Sequence, residues 1–274
     1  KNMSYQDFQR VKERLVDGQA AGLVSWIEEL QSALAHPDWQ QRACQQLGKL
    51  QLLLSAHQQL AHLPAPLQAD IRSLIGWNTP VEQVLANTQA SQTWLIVGCR
   101  ELEGSNNLRY RRQWLWSIEQ QQAALVLQFA AGFQPLAPAW PTGHTFNAEV
   151  AWYDSAWPQR IAIKSQTPLA YVQPLPELGF ESIEHALQQQ AQALAVNPFL
   201  TIFPMLLKNV VPQQDNQQWY VTDQHHHGLA IQLQGEMWPV LALSGGHPIT
   251  IFGEWDGYIL TVLSAWHQDE VISL

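Results

Sequence analysis

The hydrophobic period of the chain changes near residue 92, and this change limits the available folds more than any single motif does. Before it, apolar residues recur at helical spacing, as in Leu23, Val24, Ile27, Leu30 and Leu34. After it, apolar and polar residues alternate, which is typical of strands with one buried face. The sequence therefore predicts helices first and antiparallel strands after them.

Cap residues mark the end of the helical region. Gly76 follows a short apolar stripe and suits the left-handed residue that ends a helix. Thr79, Pro80 and Glu82 match a helix start, because Thr is a good N-cap, Pro fits the first helical position and Glu completes a capping box. We expect the helical region to cover residues 1–90.

The strand signal is clearest in residues 108–118, where one predicted face is aromatic and the other is basic and polar. The first face carries Leu108, Tyr110, Arg112, Trp114, Trp116 and Ile118, and the second carries Arg109, Arg111, Gln113, Leu115 and Ser117. Ala123–Phe129 follows a Gln-rich turn, so residues 108–129 are predicted to form a hairpin. The other predicted strands are Trp94–Gly98, Phe146–Trp152 with Arg160–Lys164, Phe199–Val211, and Trp219–Thr222 with Leu229–Leu233.

The last part of the chain predicts a three-stranded meander. Its strands are expected at Trp238–Leu243, Ile249–Trp255 and Tyr258–Trp266. Asp256 and Gly257 suit a type I′ hairpin turn, because both central residues of that turn need a positive φ. Pro248 cannot donate to a sheet and should stand at the start of a strand.

These patterns define an α+β fold: a helical N-terminal region followed by antiparallel β-rich regions with one inserted helix at Glu181–Val196. We expect a helical region at residues 1–90, a β region at 91–176, and a helix with the terminal meander at 177–274. The Pro-rich Gln173–Pro176 is the best internal boundary.

Composition argues against two classes of partner. The net charge of −9 disfavours nucleic acid and anionic membrane surfaces, because both are bound largely through Lys and Arg. Cys44 and Cys99 form no CxxC motif, which fits a reducing cytoplasm, and we find no apolar run long enough for a membrane span. The 13 tryptophans supply core volume, and some of them are candidates for partner contacts.

The basic residues Arg109, Arg111 and Arg112, with Arg100 nearby and Trp114 and Trp116 following, form the main cationic cluster. Guanidinium groups bind carboxylates and phosphates in a planar, two-pronged geometry, so the cluster could bind an acidic partner surface. The simpler interpretation is a solvated strand face that pairs with local Glu residues.

Two polar groups near the end of the chain have alternative interpretations. Glu254 and Asp256, with His247, could perform acid–base hydrolysis, or they could only shape a turn. The run Glu254, Trp255 and Asp256 is also a candidate partner contact.

The histidine triplet His225–His227 beside Asp223 could bind a metal, because imidazole is a common metal ligand. Consecutive strand residues point to opposite faces, however, which favours a polar loop without a metal.

Several stretches together resemble the region that lies C-terminal to the zinc finger in bacterial SWIM zinc-finger proteins. They are Leu63-Pro64, Asp70-Ile71-Arg72 and Gly76-Trp77; Arg109–Leu115 and Ala124–Ala130; and Leu243–Pro248 with Gly253–Gly257. The resemblance covers most of residues 40–266. Such proteins are linked with MoxR-type AAA+ ATPases and with proteins that carry a von Willebrand factor A domain. The finger's CxC pair and Cys-x-His are absent from this chain, so they would precede Lys1, and zinc is not implied here.

The favoured interpretation is a non-catalytic interaction or adaptor module with no cofactor or metal, whose partners are implied by the resemblance. The expected contacts are Arg109, Arg111, Arg112, Trp114, Trp116, Glu254, Trp255 and Asp256. The alternatives are a hydrolase built on Glu254, Asp256 and His247, and a nucleic-acid module built on Arg109, Arg111 and Arg112.

Overall fold

The computed structural model describes residues 5–104, 108–132, 134–171 and 178–274, which fall into two compact units. The first unit comprises Lys1–Gln83, Asp154–Pro158 and Val196–Phe199, and the second comprises Val84–Tyr153, Gln159–Ala195 and Leu200–Leu274. The predicted boundary at Gln173–Pro176 lies outside the described residues. The division into 1–90, 91–176 and 177–274 follows the types of element and stays a prediction.

The first unit is helical. Its helices are α1 (Tyr5–Asp17), α2 (Leu23–Leu34), α3 (Trp39–Gln58), a 3₁₀ turn (Leu60–His62) and α4 (Ala65–Ile75), and the short α5 (Val81–Leu85) leads into the second unit. The core of the unit holds Trp26, Leu53, Ile71, Ile75 and Phe199. Gly76 ends α4 with φ +111°, as predicted, because a residue without Cβ takes this conformation without strain.

The second unit begins with an antiparallel sheet. Its strands are β1 (Gln92–Glu103), β2 (Leu108–Ser117), β3 (Gln122–Ala131), β4 (His144–Trp152), β5 (Ile161–Gln166) and β6 (Ala170–Tyr171). They lie in the order β3-β2-β1-β4-β5, and β6 pairs with β4. The predicted hairpin of β2 and β3 and the predicted pairing of β4 with β5 are confirmed. One face of the sheet buries Trp94, Ile96, Leu115, Phe146 and Val150.

The second sheet of this unit contains the last six strands. They are β7 (Phe203–Asp215), β8 (Gln218–Thr222), β9 (Gly228–Gln232), β10 (Ile249–Trp255), β11 (Leu260–His267) and β12 (Glu270–Ser273), with α6 (Ile183–Val196) before β7 and α7 (Trp238–Ser244) before β10. The strands follow the order β10-β7-β8-β9-β11-β12, and β10 also pairs with β11. This last pairing closes five of the strands into a barrel.

The two sheets of the second unit pack face to face. Leu95, Val97, Trp114 and Trp116 from the first sheet meet Leu206, Phe252, Leu263 and Trp266 from the second. The pairing of β1 with β2 shifts register between Ile96 and Gly98, as a bulge does. The Val97 carbonyl accepts a hydrogen bond from the buried Ser264 hydroxyl across the interface. A Cβ on Gly98 would lie 2.7 Å from Phe252 Cδ1, so the close approach of the sheets requires glycine there.

The predicted first strand of the terminal meander is wrong. Residues 238–244 form helix α7, and the partner of β10 on its far side is β7. Pro239 lies in the first turn of α7, where its missing N–H has no intrahelical partner to lose. Gly245 ends the helix with φ +52°, the left-handed conformation of a helix end. Pro239, predicted to lie in a strand, and Gly245, predicted to lie in a turn, therefore mark the start and the end of a helix.

The predicted hairpin of β10 and β11 is confirmed, but its turn is not type I′. Trp255 pairs with Leu260, so residues 256–259 form the loop. Gly257 has φ +100°, whereas Asp256 does not adopt a positive φ. The Asp256 carboxylate instead accepts the N–H groups of Tyr258 and Ile259 at 2.8 and 2.9 Å. This side chain–backbone turn replaces the backbone geometry that a two-residue turn needs.

The α+β fold class is confirmed, with α6 as the predicted inserted helix and α7 as a further one. In the described part of the chain, no helix combines the length and the apolar character that crossing a membrane requires.

Candidate functional site

The carboxylate of Glu254 lies at the interface of the two sheets and is only 2% exposed. Its Oε2 is 2.9 Å from Nη1 of Arg100 and 2.9 Å from Nη1 of Arg112. Its Oε1 accepts the indole N–H of Trp114 at 2.9 Å. The carboxylate comes from β10 and all three of these donors come from β1 and β2. Buried charge is stable in this position because it is both paired and hydrogen-bonded.

The two arginines face each other directly across the β1–β2 pair. Arg100 and Arg112 are Cα partners in the register, and their side chains are 22% and 18% exposed. Like charges at this position repel, and Glu254 offsets the repulsion. Two guanidinium groups face one carboxylate, so the trio holds one more cationic than anionic group. Within the described residues, the buried Arg100 Nε has no hydrogen-bond partner.

The arginines belong to a larger surface, which we term the β1–β3 platform. It comprises two cross-strand rows, Arg100, Arg112 and Leu127, and Leu102, Tyr110 and Phe129. Phe129 is 56% exposed and the other five side chains are half-buried. The Tyr110 and Phe129 rings stack at 6.2 Å, and the Arg112 guanidinium lies 5.8 Å from the Tyr110 ring centre. The platform therefore combines exposed aromatic surface with cationic groups.

The predicted cluster of Arg109, Arg111 and Arg112 is divided between the two faces of β2. Arg112 lies on the platform, as the predicted alternation places it. Arg111 is buried on the other face, where it pairs with Glu101 and donates to Gln128 and to the Ala137 carbonyl. Arg109 donates to the Gln134 carbonyl at 2.7 Å. These three guanidinium groups therefore do not form one surface that could follow a nucleic-acid backbone.

The aromatic candidates lie in the interior. Trp114 and Trp116 are both buried in the core between the sheets. Trp255 is also buried and donates its indole N–H to Gln190 at 3.0 Å. Their contacts in this structure are with the chain itself, and binding of a partner through them stays a prediction.

The residues of the predicted hydrolase do not converge. Glu254 is occupied by its three donors, and Asp256 caps the turn that follows. His247 precedes β10 and stacks on His267 at 6.5 Å. Five strand steps at about 3.3 Å each place the backbone of Ile249 about 16 Å from that of Glu254, and His247 lies two residues before Ile249. An acid and a base that far apart cannot act on one bond.

Asp223 organises the histidine triplet and begins a helix. Its Oδ1 accepts the N–H groups of His225 and His227 at 2.9 and 3.0 Å, and its Oδ2 accepts the N–H of Ile183, the first residue of α6, at 2.9 Å. Burial by itself would raise the pKa of Asp223, but these hydrogen bonds and the nearby His227 hold it below its ordinary value. Within the described residues, no group of three or more His, Cys, Asp or Glu side chains is arranged to hold a metal.

A cavity of about 580 Å³ lies beside a bulge in β7, where the pairing of β7 with β10 shifts register and Asn209 has φ +53°. Apolar walls come from Leu95, Leu178, Leu206, Pro248, Ile249 and Trp266. Lys208 and Glu181 form an ion pair at the cavity. The Trp266 indole N–H has no hydrogen-bond partner among the described residues. Polar side chains, among them Asn209, Thr250, His267, Gln268 and Asp269, line the rest of the cavity.

The apolar half of the platform was missed from the sequence. Phe129, Leu102 and Leu127 carry no motif, and strands commonly contain such residues. The useful signal is the register of the β2–β3 hairpin, which places Tyr110 opposite Phe129. The bulge at Val97 and Gly98 changes which β1 residues face the second sheet, so simple alternation along β1 does not identify Arg100.

A comparison with protein families matches residues 1–75 to the SWIM-associated four-helix bundle domain. Within residues 5–75, which the structure describes, there are four α-helices, α1 to α4. The match is consistent with a region C-terminal to a SWIM zinc finger and confirms the predicted resemblance. Residues 76–274, which include the platform, lie outside the match. No curated protein matches the chain.

Proposed function

We propose that this chain is a non-catalytic protein-interaction region of a SWIM-type protein and acts in the cytoplasm. The proposed partners are a MoxR-type AAA+ ATPase and a protein with a von Willebrand factor A domain. The family match supports the accessory role. The two free cysteines fit the compartment.

The observation that carries the proposal is the exposed aromatic surface of the β1–β3 platform. Phe129 is more than half exposed although its ring stacks on that of Tyr110. Isolated exposed apolar residues are common, but a contiguous apolar patch with an arginine marks an interface. Aromatic and Arg side chains are enriched at the centres of such interfaces.

The site residues then have two kinds of role. Arg112, with Arg100 and Phe129, contacts the partner. Trp114, Trp116 and Glu254 lie beneath and hold the arginines in place, since they join the platform to the second sheet. Trp255 and Asp256 shape the strand and turn around Glu254. Arg109 and Arg111 belong to the opposite face of β2 and stabilise it.

The test is complex formation between the purified chain and each proposed partner from the same organism, measured by size-exclusion chromatography and calorimetry. We expect a complex with a micromolar Kd, which Phe129→Ser weakens by about tenfold, because removal of an aromatic interface anchor typically costs more than 1 kcal/mol. Trp238→Ser is the matched control, since Trp238 is an exposed aromatic residue elsewhere in the second unit, 71% exposed. Absence of a complex with either protein would contradict the proposed partners, and equal losses in both variants would contradict the proposed surface.

A further inference from the structure

The charge balance around Glu254 is incomplete. One buried carboxylate would neutralise one arginine, yet it is bonded to two. Both guanidinium groups are mostly removed from water, so the surplus positive charge lacks much of the hydration that an exposed arginine has. The chain as a whole is acidic, with 14 Lys and Arg against 23 Asp and Glu. Two adjacent arginines that share one carboxylate are therefore a local exception to its overall charge.

The arginines also keep unused donors. Each guanidinium has five N–H donors, and Glu254 receives an Nη1 hydrogen from each of the two. Within the described residues, the Nη2 groups of Arg100 and Arg112 have no protein acceptor. Each arginine side chain is about one-fifth exposed, so part of it is open to an acceptor from outside the chain.

The row beside the arginines is apolar. Leu102, Tyr110 and Phe129 lie one pleat further along the three strands, toward the β1–β2 connection. Residues on the same face of a strand and two apart are separated by about 7 Å. That distance equals the spacing of alternate residues in an extended peptide, so one segment can reach both rows.

We propose that the β1–β3 platform binds an acidic, extended segment of a partner protein. A carboxylate of the segment bridges Arg100 and Arg112, and an apolar side chain two residues away packs on Tyr110 and Phe129. This inference rests on the proposed function and adds the chemistry of the partner. A carboxylate from an acidic segment is favoured over a nucleic-acid phosphate, because Arg109 and Arg111 point away and the chain is strongly acidic.

The probe is an acetylated peptide amide of sequence Gly-Glu-Glu-Phe-Leu-Gly, in which each Glu has an apolar residue two positions later, compared with the same peptide carrying Lys in place of Glu. Binding is followed by nuclear magnetic resonance of the Trp114 indole N–H, which donates to Glu254 and reports on the charge cluster. We expect the acidic peptide to shift this signal in a saturable way and the basic peptide to leave it unchanged. A single-stranded oligothymidine serves as the nucleic-acid probe.

Arg100→Gln is the sharpest variant, because Glu254 and Arg112 then form a balanced pair and only the surplus charge is lost. We expect it to fold and to bind the acidic peptide roughly tenfold to a hundredfold more weakly, the range for losing charge-assisted hydrogen bonds. Arg109→Gln, on the other face of β2, makes the same change in net charge and should leave binding unchanged. If Arg100→Gln does not fold, Phe129→Ser at an exposed position provides the same test.

Three results would overturn the inference. They are equal binding of both peptides, no binding of the acidic peptide at millimolar concentration, and undiminished binding of the acidic peptide to the variants. Arg100-dependent binding of oligothymidine without binding of the acidic peptide would also overturn it, in favour of nucleic acid. A partner complex that Phe129→Ser weakens but that forms normally with Arg100→Gln would contradict this chemistry while leaving the proposed function in place. If the acidic peptide binds as expected but neither partner complex forms, the result would support this chemistry and contradict the proposed partners.

Discussion

Trp114 donates its indole hydrogen to Glu254 over 2.9 Å, from the first sheet of the second unit to the second sheet. Both side chains are buried. The bond therefore fixes the orientation of a carboxylate that two arginines share, and it couples the stability of the sheet interface to the charge of the platform.

Replacement of Glu254 by Gln should destabilise the second unit. The change leaves Arg100 and Arg112 opposite each other without a counter-ion, and breaking a buried ion pair in this way costs about 3–5 kcal/mol. Urea unfolding measures the loss. Glu149→Gln removes an exposed pair with Lys164 and should cost less than about 1 kcal/mol. Equal costs for the two variants would show that the Glu254 cluster contributes no more than a surface pair.

Gly98→Ala should also weaken the sheet interface. The new Cβ would lie 2.7 Å from Phe252 Cδ1 and 3.0 Å from Leu263 Cβ, so either the ring or the strand must move. Overpacking of this kind costs about 1–3 kcal/mol in the free energy of unfolding. Gly235→Ala is the control, because nothing lies within 4 Å of its added Cβ. Adding Phe252→Leu to Gly98→Ala should recover part of the loss, and a purely additive double-mutant cycle would contradict the contact.

Asp223→Asn should destabilise the protein in a pH-dependent way. The folded-state pKa of Asp223 lies below its ordinary value of 3.8, because backbone hydrogen bonds outweigh the effect of burial. The stabilising contribution is therefore complete above the unfolded-state pKa and is lost as pH falls through the lower folded-state pKa. We expect a loss of about 1–2 kcal/mol at neutral pH, as for other helix caps, that shrinks below about pH 3.8.

Urea unfolding of the wild type and Asp223→Asn across this pH range is the measurement. Asp256→Asn is a charge-matched control in an exposed turn and should cost less at neutral pH. A difference between the wild type and Asp223→Asn that grows as the pH is lowered would contradict the prediction.

Asp70→Asn, unlike Asp223→Asn, should stabilise the protein at neutral pH. Burial raises the pKa of Asp70 above its ordinary value of 3.8, although hydrogen bonds from Ser155, Ala156 and Asn197 oppose the rise. Protonation of Asp70 thus favours folding, and that contribution is present below the unfolded-state pKa and lost as pH rises through the folded-state pKa. Since Asn is uncharged, the variant should be more stable than the wild type at neutral pH.

Far-ultraviolet circular dichroism during urea unfolding follows the helical first unit, to which Asp70 belongs. The gain should disappear as the pH falls below about 3.8. Asp38→Asn changes an exposed residue that makes no cap hydrogen bond, so it should shift stability by less than about 0.5 kcal/mol. Loss of stability at neutral pH in Asp70→Asn would show that the hydrogen bonds outweigh the burial.

The β2 strand shows how much of the site the sequence could predict. Strict alternation placed Tyr110, Arg112, Trp114 and Trp116 on one face, and the structure confirms it, because side-chain direction in a regular strand depends only on parity. It could not show that Trp114 and Trp116 are covered by the second sheet whereas Tyr110 and Arg112 extend beyond the buried core. Whether a β2 side chain is buried depends on how far the second sheet extends over it, and the strands of that sheet lie far away in the sequence.

Helix α7 shows the opposite limit. The sequence of its seven residues fits a buried strand as well as it fits a helix, because a short apolar run is compatible with both structures. Pro239 and Gly245 were the informative residues, but the prediction placed Pro239 inside a strand and Gly245 in the turn that follows it. The prediction made residues 238–243 the strand beside β10, but in the structure β7 (Phe203–Asp215) takes that place.

The sequence by itself determined the helical first region, the confirmed hairpins and the faces of β2, because local periodicity and turn chemistry govern each of them. Only the tertiary structure decided that Glu254 would lie beneath Arg100 and Arg112, since the three residues meet through the packing of two sheets and a one-residue bulge at Gly98. A bulge changes which face a side chain takes, and contacts across more than a hundred residues leave no periodic trace in the chain.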